Sequence, residues 1–118
     1  MAGYGRLTTH VLDTTHGKPA AGMRIDLSMV HGDHSHHIFS GRTNADGRLD
    51  QPLLEGNQFH RGTFELVFHV GEYFEQLGTK IEHQFLDIVP VRFTMAEDAH
   101  YHVPLLVTPY SYSTYRGS

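Results

Sequence analysis

The chain contains no cysteine. That excludes a disulfide framework and any thiolate nucleophile, and it leaves a zinc site only histidine and carboxylates to use. Long apolar runs are missing as well: nothing approaches the roughly 20 residues that cross a bilayer, and the opening "MAGYGRLTTHVLD" holds no stretch of signal-peptide type. Blocks of lysine or arginine are absent, and a formal net charge of -4 is spread with mixed sign, so there is no electrostatic footprint for nucleic acid. These absences predict a cytosolic protein with neither membrane nor nucleic-acid partners. No repeat, linker or low-complexity tract divides the 118 residues, so residues 1–118 are expected to form one domain, large enough to bury roughly two thirds of its unfolded surface. What is abundant is histidine, with eleven copies.

Wherever the sequence has a period, the period is two. In "MRIDLSMV", Met23, Ile25, Leu27 and Met29 share one face while Arg24, Asp26 and Ser28 take the other; "TFELVFHV" repeats this with Phe64, Leu66, Phe68 and Val70, and "VPVRFTM" with Val89, Val91, Phe93 and Met95. Such alternation marks half-buried strands and is read as antiparallel sheet. Turn chemistry separates them in "HGKPAAG", "NADGR", "LEGNQFHRG" and "EDAH". Many short strands at this spacing predict an all-β sandwich or barrel. One short helix is expected near "GEYFEQLG", between Gly71 and Gly78.

The flanking strands have two informative faces. In "RLTTHVL", Leu7, Thr9 and Val11 form the core line, so His10 projects opposite, with Thr8 and Leu12. In "YHVPLLV", Tyr101, Val103, Leu105 and Val107 are core-like and His102 sits opposite, beside Pro104 and Leu106. That second face is too apolar for plain solvent, which predicts burial against another subunit. Pro104 has no N–H, so its strand should be an edge or irregular there. The chain closes on "PYSYSTYRGS", placing Tyr110, Tyr112 and Tyr115, half of its six tyrosines, with Arg116 among its last residues.

Three stretches, "LTTHVLDTTHGKPAAGMRIDL", "TNADGR" and "YHVPLLVTPYSYSTYRGS", resemble the transthyretin-related family and within it the 5-hydroxyisourate hydrolases, over essentially Arg6 to Ser118. The terminal "YRGS" is the specific part, because transthyretin shares the fold and lacks that ending. Ser111 departs from the glycine that relatives often carry there and removes no chemical group. The resemblance implies a transthyretin-like sandwich of two four-stranded sheets with a short helix, assembled as a homotetramer with active sites where dimers meet. It implies a cyclic-amide hydrolase of urate degradation that opens a ring C–N bond of 5-hydroxyisourate by adding water to a carbonyl, giving the ureidoimidazoline carboxylate OHCU. Neither metal nor organic cofactor is implied. By motif, His10, Arg48 and His102 are the catalytic residues, and His10, Arg48, Tyr115, Arg116, Gly117 and Ser118 bind the substrate. "RGS" is not the Ser-Lys-Leu peroxisomal address, and a bacterial cytoplasmic enzyme fits.

The chemistry suits these residue types. A neutral imidazole can take the proton of an attacking water, and His10 is expected in that role with His102 assisting, or the reverse. The planar guanidinium of Arg48 can hold two oxygens at once and steady a developing oxyanion. Tyr115 offers an aromatic wall to a flat heterocycle. Blander readings stand beside these: "DGR" alone is an ordinary turn, Tyr110 and Tyr112 suit strand packing, and His100 suits a loop. The cluster His31, His34, His36 and His37 looks like a metal site, yet the polar run fits an exposed hairpin tip better. Two other functions compete, a non-catalytic carrier of a small aromatic ligand and a metal-binding protein built on that cluster.

Overall fold

A computed structural model describes residues 5–117. The strands are β1 (Arg6–Asp13), β2 (Lys18–Pro19), β3 (Arg24–His31), β4 (His34–Arg42), β5 (Leu54–Glu55), β6 (Gly62–His69), β7 (Ile88–Met95), β8 (His100–Val107) and β9 (Tyr112–Thr114), with one helix, α1 (Val70–Gln76), after β6. They form two sheets. One runs β4-β3-β6-β7, all antiparallel; the other runs β2-β1-β8-β9 with β5 also paired to β1. The second sheet therefore counts five strands where four were expected, because two-residue pieces, β2 and β5, pair with opposite ends of β1.

The period-two lines point inward as predicted. Leu7 and Val11 from β1, Ile25 and Leu27 from β3, Phe64, Leu66 and Phe68 from β6, Val89 and Met95 from β7, and Leu105 and Val107 from β8 are all buried in one core. Met23 is buried just ahead of β3, while Met29 and Phe93 pack only partly against the core. Thr9 is the polar interruption of the β1 line, and its hydroxyl donates to the Val103 carbonyl at 2.8 Å, which satisfies it. Seven residues make up α1; Val70, Tyr73 and Phe74 face the core, and Gly78, at φ +72°, supplies the left-handed residue that ends it.

The strands read as antiparallel from their alternation, β3, β6 and β7, are antiparallel. The β1–β8 pairing, whose direction the sequence left open, is parallel: Arg6 pairs with His100 and Asp13 with Val107. Alternation reports which face a side chain takes and is silent on strand direction. The histidine cluster is also less of a loop than expected. His34, His36 and His37 lie within β4, exposed, and the turn itself is only Gly32–Asp33. Among the described residues no group of three or more histidines and carboxylates converges as a metal ligand set.

The helix is tied to the five-stranded sheet by Asp13 at the end of β1. Its buried carboxylate accepts from the Tyr73 hydroxyl at 2.8 Å and from the His16 backbone N–H at 3.0 Å, and it is hydrogen-bonded to His16 Nδ1 at 2.6 Å. Burial alone would raise this carboxyl, but the hydrogen bonds from His16 and Tyr73 outweigh it and hold it below 3.8. A carboxyl lowered on folding stabilises the fold above its unfolded value, and that contribution fades as pH falls through the folded one. The melting temperature should thus drop on acidification below about pH 3.8, with a shallower slope in Asp13→Asn. Tyr73→Phe, which removes one donor to a buried charge, should cost about 1.5–3 kcal/mol in urea unfolding at neutral pH.

Candidate active site

Pairing β1 with β8 in parallel sets their outward side chains in two adjacent files. Thr8 stands opposite His102, and His10 opposite Pro104. The His10 and His102 rings come to 6.5 Å between centroids. Thr8 Oγ1 lies 2.8 Å from His102 Nδ1 and 3.0 Å from His100 Nε2, so one hydroxyl bridges two imidazoles. His100 is thus the first residue of β8 and part of the constellation, where the sequence suggested a loop residue.

Arg48 reaches the same face through the "NADGR" turn. Asn44 Oδ1 accepts from the N–H groups of Asp46 and Arg48, and the Asn44 carbonyl accepts from Gly47 at 3.0 Å. The turn is then docked on β1: Val11 N–H donates to the Gly47 carbonyl at 2.8 Å, and His10 and Arg48 form a single β-bridge. Gly47 has φ +74°, and a Cβ there would run into the Val11 carbonyl oxygen. Only glycine meets both demands. The same turn presents the Asp46 carbonyl to His10 Nε2 at 2.9 Å. A carbonyl can only accept, so Nε2 carries the proton and the lone pair of neutral His10 sits on Nδ1. Beside Arg48 a shallow hollow of about 180 Å³ is lined by Thr8, Arg6, Asp50 and Gln51 among others.

The chain's end arrives from the other flank. β9 pairs antiparallel with β8 from Val107↔Tyr112 to Leu105↔Thr114, and the same register resumes at His102↔Gly117, where Gly117 N–H donates to the His102 carbonyl at 2.6 Å. Between these lies Pro104, in register with Tyr115. β8 is an internal strand, so the expectation of an edge fails, while the irregularity is real: having no N–H, Pro104 cannot complete that rung. Its carbonyl accepts instead from the Thr114 hydroxyl at 2.7 Å. A Cβ on Gly117 would stand 2.9 Å from His102 Cδ2, so the tail lies against this imidazole as only glycine can.

The tail residues diverge. Tyr115 is 60% exposed. The Arg116 guanidinium sits 4.4 Å over the ring of Tyr101, a side chain on the core face of β8, and donates to the His100 carbonyl at 3.5 Å. Arg116 therefore turns away from the file holding His102. Ser118, the last expected ligand, lies outside the described residues.

Electrostatically the site is cationic. Partial burial comes first among the causes that push His102 below the ordinary 6.5, followed by Arg48, His10 and His100. A base held neutral in this way is ready to accept a proton near neutral pH. Thr8 and the Asp46 carbonyl were not singled out from sequence, where only the shared face of Thr8 and His10 was visible; the irregularity at Pro104 was expected there.

Comparison with known proteins places the chain in a family. Residues 7–117 match the HIUase/Transthyretin family. The chain is 58% identical over 120 residues to 5-hydroxyisourate hydrolase 2 of Rhizobium meliloti (strain 1021), with all of both chains covered. Among solved structures it is similar to the 5-hydroxyisourate hydrolase of Klebsiella pneumoniae, with TM-score 0.81 and 32% identity over 97% of this chain and 99% of that one. It is also similar to transthyretin from Sparus aurata, with TM-score 0.83 and 27% identity over 95% of this chain and 96% of that one. A transthyretin-like sandwich carrying two imidazoles and a guanidinium on one outer sheet face, matched along nearly its whole length, belongs to the HIUase/Transthyretin family.

Proposed function

We propose that the chain is a hydrolase that adds water to a ring carbonyl of 5-hydroxyisourate and opens the adjacent C–N bond to give OHCU. The observation that carries this reading is the convergence of His10, His102 and Arg48 on one face, with the tail seated on His102. Purely carrying an aromatic ligand would need neither a base nor an oxyanion partner. The His31, His34, His36 and His37 cluster supplies no converged site for the metal-binding alternative.

In this proposal the roles expected for the two histidines exchange. His102 Nε2 takes the proton of the attacking water, since burial and its cationic neighbours keep this imidazole neutral. His10, fixed by the Asp46 carbonyl, orients the water from its Nδ1 side. Arg48 binds the carbonyl oxygen as negative charge develops there. The proton held by His102 then passes to the ring nitrogen as the C–N bond breaks, so water, proton and leaving nitrogen balance. Tyr115 walls the substrate, Gly117 lines it with backbone groups, and Ser118, outside the described residues, is kept as a ligand. Arg116 serves this site through its hold on Tyr101.

The open face of a single chain suits assembly. Leu12 and Leu106 are half-buried on the outer face beside His10 and His102. A homotetramer whose dimers meet over this face would enclose the site and exclude bulk water, and we place the enzyme in the bacterial cytoplasm.

Metal-free protein should accelerate the loss of ultraviolet absorbance of freshly generated 5-hydroxyisourate well above its spontaneous decay; no acceleration would sink the proposal. In that assay Arg48→Lys should lower kcat by about 10²- to 10³-fold, and His102→Gln by about 10²- to 10⁴-fold. Because His102 must be neutral and its pKa is lowered, the midpoint of the acid limb of kcat/KM should lie below pH 6.5. Removal of Arg116 to Ser118 should abolish most turnover while sedimentation still reports a tetramer.

A further inference from the structure

The bridge made by Thr8 has a consequence for proton movement, one that rests on the reading of His102 as the group that takes the water proton. We infer that Thr8 and His100 form a relay behind His102, drawing off the proton from Nδ1 as Nε2 gains one.

One hydroxyl has one hydrogen. Thr8 Oγ1 is within hydrogen-bond distance of both His102 Nδ1 and His100 Nε2, so it can donate to only one of them and the other must present an N–H. Two arrangements follow. In the first, His102 Nδ1–H donates to Thr8 and Thr8 donates to His100 Nε2, which leaves His102 Nε2 bare and basic. In the second, His100 Nε2–H donates to Thr8 and Thr8 donates to His102 Nδ1, which leaves the proton on His102 Nε2. They differ by the movement of two hydrogens along one line.

Water attack converts the first into the second. Nε2 of His102 gains the water proton, the Nδ1 proton moves to Thr8 Oγ1, and the Thr8 proton moves to His100 Nε2. His102 ends neutral and His100 ends as the imidazolium. When His102 Nε2–H protonates the leaving nitrogen, the line runs backward and resets, and no net proton is consumed.

The surroundings give this a purpose. His102 faces His10 and Arg48 from β1 and the turn docked on it, His100 from its own strand, and Gly117 from the tail; its ring hydrogen-bonds to Thr8, and the charged groups that act on it are Arg48, His10 and His100. A full positive charge on His102 would stand beside the Arg48 guanidinium while that group is needed for the oxyanion. The relay carries the charge to the half-exposed His100, where water screens it from its exposed register neighbour Arg6. Thr8 and His100 are then positioning residues, acting through His102.

The test uses the full-length protein with Thr8→Ser, Thr8→Val and His100→Gln. Thr8→Val should lower kcat by about 10- to 100-fold with KM essentially unchanged. Thr8→Ser, which keeps the hydroxyl, should recover most of that loss. His100→Gln retains a partner for Thr8 but cannot hold the extra proton, so it should match Thr8→Val, and the double variant should be no worse than either. Wild-type kcat in His100→Gln, a Thr8→Ser as slow as Thr8→Val, or losses that multiply in the double variant would each overturn the relay. His100→Gln, at a half-exposed site, keeps the test alive if Thr8→Val fails to fold. A second measurement needs no turnover: ring ¹⁵N shifts of neutral His102 should show Nδ1 protonated in the wild type and a tautomer mixture in Thr8→Val. Identical shifts in the two proteins would overturn the inference, whereas a silent activity assay with the expected shifts would count only against the hydrolase reading.

Discussion

The parallel ladder between β1 and β8 holds the first and the last long strands of the chain side by side, and the site exists only because of it. Thr9 and Val103, which share a hydrogen bond across it, are 94 residues apart in sequence. Closing so long a loop is entropically costly, and the return comes from the apolar line of Leu7, Val11, Leu105 and Val107, all fully buried. The same burial protects the register. Sliding either strand by one residue would turn His10 or His102 into the core and bring a core residue out, so the hydrophobic pattern that stabilises the sheet also aims the imidazoles.

On this ladder the remaining parts are placed largely by backbone. Val11 anchors the Gly47 turn from one flank and His102 anchors Gly117 from the other, each through a main-chain hydrogen bond under 3 Å. Two glycines mark the closest approaches, where a methyl group would strike a carbonyl at position 47 or an imidazole at position 117. Main-chain contacts lose little conformational freedom once the sheet is made, so they hold a guanidinium and a terminal segment more firmly than long side chains could. Pro104 contributes by omission. Because it cannot complete its rung, the segment from Tyr115 to Arg116 is released from the ladder just where it passes the site, and Arg116 is recaptured by Tyr101 beyond it.

How far the sequence foretold this depends on the kind of signal. Strand faces were legible, because a period of two is written directly in the residues: His10 and His102 were expected opposite the core line and are found there. Direction was not, since the alternation of Leu7, Thr9 and Val11 is the same whether β8 runs along β1 or against it. The consequences of direction were therefore hidden, above all the meeting of Thr8 with both His100 and His102. Arg48 was visible as a motif residue, but the turn's second service, offering the Asp46 carbonyl to His10, involves a backbone atom that any residue type could supply. Arg116 was expected among the substrate ligands, and period two along the tail sends it to the opposite side from Gly117. The four histidines between 31 and 37 look like a ligand set on paper but read better as an exposed tip; His31 ends β3, His34, His36 and His37 lie in β4, and all four are exposed.

The charge pattern of the site sets the terms on which its histidines can work. The chain as a whole carries -4, yet the outer face of the β1–β8 ladder gathers His10, His100, His102 and Arg48, and Asp50, a carboxylate lining the hollow beside Arg48, is engaged by Asn44 Nδ2 at 2.9 Å. In hydrolytic sites that pair a histidine with a carboxylate, the carboxylate stabilises the imidazolium once it forms. Here that help is missing, and the neighbours act in the reverse sense by keeping His102 neutral. Such a site favours negative charge on whatever it binds and disfavours positive charge on His102. In the proposed mechanism the two preferences are compatible only if His102 gives up its proton quickly or spreads it, and a hydroxyl touching a second imidazole provides the means within the same strand pair that brought the residues together.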